Sequence, residues 1–78
     1  MPELVTSAQI RAGRALLKWT VRDLADRSGV HRNTITNMET GDGGHAATNA
    51  AIRAALEAAG VEFIPENGGG AGVRMRKV

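Results

Sequence analysis

From His31 to Thr40 the chain reads His-Arg-Asn-Thr-Ile-Thr-Asn-Met-Glu-Thr. Wound as a helix, this stretch puts Ile35 and Met38 on an inner face and leaves Arg32, Asn33, Thr36 and Asn37 outside. A guanidinium, two carboxamides and a hydroxyl along one strip recognise a partner by hydrogen bonds and perform no bond-making. Nothing elsewhere competes with that chemistry. No nucleophile stands with a base in a recognisable pattern, so no enzyme is expected. His31, Asp42 and His45 lack a metal-ligand spacing, and neither a metal nor another cofactor is expected. The run Gly68-Gly69-Gly70 does not join a strand to a helix, as a phosphate-binding loop would.

The strip must be held by other elements, and the sequence marks them. Thr6 followed by Gln9 matches a capping box and opens a helix from about Ser7 to Lys18, with Ile10, Gly13 and Leu17 inward and Leu16 beside them. Thr20 is the next N-cap, with Asp23 in the first turn where a negative charge suits the helix dipole. That helix runs from Val21 to Ser28, buries Val21, Leu24 and Ala25, and stops at Gly29, which accepts a positive φ without strain. The strip-bearing helix follows from Arg32 to Thr40. Ala25 is small enough for two backbones to approach and Gly29 allows a tight turn, while Leu24, Val30, Ile35 and Met38 anchor one helix on the other. Gly41 to Gly44 reads as a loop, and Ala47 to Ala59 as a fourth helix ended by Gly60. Val61 to Ile64 and Val73 to Arg76 alternate apolar and polar residues, which predicts a terminal β-hairpin around Pro65 to Gly72. The alternative for this stretch is a disordered glycine-rich tail, because a lone two-stranded hairpin is marginal in water.

A chain of 78 residues fits one compact unit with an aliphatic core, since it has one Trp, one Phe and no Tyr. With no Cys there is no disulfide framework. No apolar run approaches the roughly 20 residues of a membrane span, and the start is unlike a secretory signal, so a cytoplasmic protein without a membrane partner is expected. The net charge is only +2, but its distribution is uneven. Arg11, Arg14, Lys18, Arg22, Arg27 and Arg32 crowd the first half and Arg74, Arg76 and Lys77 the end, with Glu57, Glu62 and Glu66 between. This pattern fits a polyanionic partner or two ordinary solvated faces.

The segment Val21-Arg22-Asp23-Leu24-Ala25-Asp26-Arg27-Ser28-Gly29-Val30-His31-Arg32-Asn33-Thr34-Ile35-Thr36-Asn37-Met38-Glu39 resembles the helix-turn-helix of the Cro and phage-repressor regulators, the XRE family. The likeness reaches from Ala8 to Gly41, and Ala54 to Ile64 with Gly72 to Arg76 is similar to a subgroup of short regulators. It implies a mainly α, lambda-repressor-like DNA-binding domain of four to five helices over residues 1–60, with a C-terminal β-hairpin over residues 61–78. It also implies base contacts from Arg32, Asn33 and Asn37. Arg grips guanine O6 and N7, and Asn pairs with adenine N6 and N7. Thr34 and Thr36 would touch a phosphate or a thymine methyl. Thr20 and the amides from Val21 onward match the family's phosphate site at a helix start, and Arg11, Lys18 and Arg22 are backbone contacts or solvated charges. Arg14 and Glu39 stand where the family pairs its first helix with the recognition helix, a bridge that as a surface pair would contribute no more than about 1 kcal/mol. Two positions depart from the pattern. His31 replaces the usual Ser or Thr N-cap and becomes a phosphate contact instead, and the loop with Asp42 lacks the family's basic residues.

One recognition helix contacts few bases, so the resemblance implies a homodimer on double-stranded operator DNA, with the two helices about 34 Å apart. The hairpin is the expected joint: Val61, Phe63, Val73 and Met75 give it an apolar face and its edge can pair with a second copy. The leading expectation is a transcriptional repressor. The alternatives are an antitoxin that represses its own operon and covers a toxin, and a protein-binding module that has kept the fold without DNA binding.

Overall fold

The computed structural model describes residues 4–41 and 45–77. Asp42, Gly43 and Gly44 lie outside the described residues, so the Asp42 part of the expected loop does too. Four helices and one hairpin follow in order: α1 Ser7–Leu16, α2 Val21–Ser28, α3 Arg32–Glu39, α4 Ala46–Ala58, β1 Val61–Ile64 and β2 Gly72–Met75. The caps explain the helix starts. Thr6 Oγ1 accepts from Gln9 N at 3.1 Å and Gln9 Oε1 accepts from Thr6 N at 2.9 Å, the reciprocal pair of a capping box. Thr20 and Asp23 repeat it at the start of α2, and Gly29 ends that helix at φ 75°.

The end of α1 departs from the expected boundary at Lys18. Lys18 N donates to Ala15 O at 3.0 Å and Trp19 N to Arg14 O at 2.9 Å, while Lys18 itself sits at φ 58°. Those two bonds and the left-handed residue make a Schellman motif, a stop that glycine usually provides. The helix therefore closes at Leu16. Leu16, expected beside the inner face, is 43% exposed, and Leu17 packs against the core instead.

That core is aliphatic, as the composition requires: Val5, Ile10, Leu24, Ile35, Met38, Ile52, Leu56 and Val61. Leu24 from α2 and Ile35 from α3 are both fully buried, which fastens the two helices. Gly13 sits where α1 crosses α4 and the hairpin. A Cβ built there would meet Leu56 Cδ1 at 3.3 Å and Val61 Cγ1 at 3.5 Å, so the glycine that weakens the helix also permits the close crossing. Asn49 of α4 is 2% exposed and holds the N-terminal segment from both sides. Its Oδ1 accepts from Val5 N and its Nδ2 donates to Val5 O, each at 2.9 Å.

The strands pair antiparallel as Val61↔Met75, Glu62↔Arg74, Phe63↔Val73 and Ile64↔Gly72. Directly opposed residues share a face, so Val61, Phe63, Val73 and Met75 line one side, and that side turns inward. Val61 is a core residue, and Phe63 and Val73 pack against the core. The outer side carries the ion pair of Glu62 with Arg74. The Glu66 carboxylate closes the connecting loop by accepting from Gly68 N at 2.8 Å and Gly70 N at 3.0 Å. The hairpin is a packed layer of the fold and no loose tail.

Candidate nucleic-acid interface

Helix α3 is buried on one side and open on the other. Ile35, Met38 and Glu39 are buried, whereas Arg32, Asn33, Thr36 and Asn37 are all exposed along a single strip. Thr34 lies half-buried at its border. His31 begins the helix in extended backbone, and its Nδ1 accepts from Asn33 N at 3.2 Å. The imidazole therefore caps the helix in place of the usual hydroxyl, which leaves Nε2 as its outward donor. At the other end Thr40 Oγ1 donates to the carbonyls of Thr36 and Asn37, each at 3.1 Å.

The orientation of this strip is fixed by Arg14. Its Nε and Nη2 donate to the two carboxylate oxygens of Glu39 at 2.9 Å each, and its Nη1 donates to Trp19 O at 3.0 Å. One guanidinium thus joins α1, the corner before α2, and the end of α3. The side chain of Glu39 is only 7% exposed and that of Arg14 25%, which corrects the reading of this bridge as a surface pair. The hydrogen bonds that the Arg14 guanidinium donates to Glu39 push its pKa up against the opposing effect of burial. A buried carboxylate needs this partner, because its desolvation is otherwise uncompensated.

The start of α2, the expected phosphate site, is partly occupied by the chain's own capping carboxylate. Thr20 N donates to Asp23 Oδ2 at 2.8 Å and Asp23 N to Thr20 Oγ1 at 3.0 Å. The box uses the Thr20 hydroxyl as an acceptor and leaves the Val21 and Arg22 amides as the remaining N-terminal donors. Hydrogen bonding from the Thr20 backbone and then its side chain holds the Asp23 carboxyl below the usual carboxylate range, with Arg27 and Arg22 adding to the effect. A negative charge therefore stands beside the expected phosphate position. Arg22, His31 and Arg32 come together with Ala25, Asp26, Gly29 and Val30 around an open depression of about 480 Å³. Arg11 and Lys18 are exposed. Arg27 lies over the Trp19 ring, 5.1 Å from its centroid, a contact that nothing in the sequence pattern announced.

The residues expected to join two copies are placed differently from one another. Val61 is 1% exposed, Phe63 and Val73 are half-buried against the same core, and Met75 alone of the four is 43% exposed. Among the described residues no three His, Cys, Asp or Glu side chains cluster to hold a metal ion, and no helix is long and apolar enough to cross a membrane.

Two consecutive helices on a shared core, the second presenting a polar hydrogen-bonding strip, define a helix-turn-helix nucleic-acid reader. The family model described as helix-turn-helix matches residues 10–63, more than half the chain. The chain belongs to that family, in its XRE or Cro type, and is a DNA-binding transcriptional regulator; the family is a regulatory one and not an enzyme family. No curated protein matches the chain significantly.

Proposed function

We propose that the protein is a sequence-specific repressor acting in the cytoplasm, which reads a palindromic operator as a homodimer with α3 in the major groove. Arg32, Asn33, Thr36 and Asn37 read base edges. Thr20, Val21, Arg22, His31 and Thr34 meet the phosphate backbone, with the amides of Val21 and Arg22 as the helix-end donors. The observation that carries this reading is the exposed strip on a helix whose opposite side is locked by Ile35, Met38 and the Arg14–Glu39 bridge. A fixed helix with free polar groups can hold donors and acceptors at the spacing of base edges.

Size argues for two copies. The longest extent of the fold is 31 Å, less than the separation of about 34 Å between half-sites, and each copy has one α3. The second copy meets the hairpin at a strand edge and at Met75, because the other apolar residues serve the core. Removing residues 61–78 would take Val61 from that core, so Met75→Lys is the cleaner test. It should turn a dimer into a monomer in ultracentrifugation with the circular dichroism of α1 to α4 preserved.

Selection of bound sequences from random duplexes, followed by salt titration of the best one, tests the whole reading. The expected result is a palindrome with half-sites one turn apart. Arg32→Ala should then lose about 1 to 3 kcal/mol on that site alone, whereas Arg22→Ala should weaken every duplex alike and lower the salt slope by about one. Equal losses for both variants on all DNA would refute the role of Arg32, and absence of DNA binding would favour a protein partner such as a toxin.

A further inference from the structure

Gln9 occupies the third position of α1 and faces two ways. Its Oε1 closes the capping box on Thr6 N. Its Nε2 reaches across the fold and donates to Gly72 O at 3.0 Å and Ile64 O at 3.3 Å. These carbonyls belong to the paired residues that flank the hairpin loop, so one amide grips both strands. The residue is 6% exposed. Either Glu or Gln completes a capping box at this position. Only Gln has donors for two carbonyls, since a glutamate offers acceptor oxygens alone when ionised. The hairpin, and not the helix cap, therefore dictates which of the two residues stands here.

Five positions along the same helix, about 7.5 Å at helical rise, Arg14 grips Glu39 of α3 and Trp19 O ahead of α2. Helix α1 is thus bonded at one end to the hairpin and at the other to the DNA-reading pair. We infer that Gln9 is the positioning residue that sets the angle between the hairpin and the recognition helix, through its two bonds to Ile64 O and Gly72 O. The consequence for DNA rests on the proposed dimer: each α3 lies about 17 Å from the twofold axis, half the half-site separation. Over that arm a tilt of about 10° moves the helix roughly 3 Å, close to the 3.4 Å rise of one base pair. A hairpin released from α1 would let the two readers fall out of register.

The test compares the full-length wild type with Gln9→Glu, which keeps the helix cap and loses both hairpin bonds, and with Gln9→Met, which is uncharged and loses both functions. Residual dipolar couplings report the orientation of the β1 and β2 amides relative to α1, α2 and α3. In both variants the three helices should keep their mutual orientation, while the hairpin reorients and its amides exchange faster. On DNA, both variants should bind a two-half-site duplex about tenfold more weakly, because effective concentration at the second half-site falls, and a single half-site within about twofold of the wild type's salt-matched value. Hairpin couplings unchanged from wild type in both variants would overturn the role of Gln9. A wild-type chain that binds DNA as a monomer would overturn the hairpin dimer instead, and the couplings would still decide on Gln9.

Discussion

Replacing Arg14 by Met keeps the aliphatic bulk of the side chain and removes its three hydrogen bonds, two to Glu39 and one to Trp19 O. The Glu39 side chain, 7% exposed, is left without its cation. Breaking a buried pair from one side typically costs about 3 to 5 kcal/mol. Arg14 retains some solvent contact, and screening reduces that figure to about 2 to 3 kcal/mol. For a domain of this size each kcal/mol moves the midpoint by roughly 4 to 8 °C, so a loss of about 8 to 24 °C is expected. Thermal and urea unfolding followed by circular dichroism at several pH values would measure it. The double variant Arg14→Met with Glu39→Met removes the stranded charge and should recover more than half of the loss, because two apolar groups replace the buried pair. A single-variant loss below about 1 kcal/mol, with no recovery in the double, would refute the burial argument and return the bridge to the surface class.

Lys18 adopts the left-handed conformation at φ 58°, which is strained for a residue with a Cβ. Lys18→Gly should stabilise the fold by up to about 1 kcal/mol, the relief being partly offset by the greater freedom of an unfolded glycine; a lower urea midpoint would contradict it. The Asp23 and Glu66 carboxyls are both held below their ordinary range, Asp23 by Thr20 and Glu66 by the amides of Gly68, Gly70 and Ala71. Their folded pKa values lie below the unfolded ones, so their stabilisation is present above the unfolded values and disappears as pH falls through the folded ones. The urea midpoint should therefore drop below about pH 4, and less steeply in the double variant Asp23→Asn with Glu66→Gln. Asp23→Asn should also tighten binding to any duplex by about two- to tenfold at low salt, since it removes a charge beside the proposed phosphate position; fluorescence anisotropy on random DNA would read it.

The boundaries of α2 were legible because both ends carry local signals, Thr20 with Asp23 at the start and Gly29 at the stop. The end of α1 was not, since a lysine fills the left-handed position of its Schellman motif and composition gives no sign of that. The fourth helix runs Ala46–Ala58, one residue earlier at each end than its helical spacing suggested, and β2 runs Gly72–Met75 and not Val73 to Arg76, because its register pairs Gly72 with Ile64 and Met75 with Val61. The polar strip of α3 followed from helical spacing alone, and the partnership of Arg14 with Glu39 from family resemblance, but the depth of the bridge depends on how α1 and α3 pack. The apolar face of the hairpin was visible in its alternation; its destination was not, because alternation does not tell a core from a docking partner. The role of Asn49 was not legible. Its partner is the backbone of Val5, 44 positions away, and a backbone group carries no sequence signal.

The carboxylate of Asp23 at the head of α2 bears on how such a reader finds its site. On the proposed mode of binding, a chain of net charge +2 that sets its own anion beside the phosphates would grip random duplex loosely, because sequence-independent affinity comes from neutralised phosphates. Dwell times on wrong DNA would then be short, and discrimination would rest on the few side chains proposed to touch base edges. The same carboxylate that finishes a helix cap would thereby set how tightly the reader holds DNA it does not recognise.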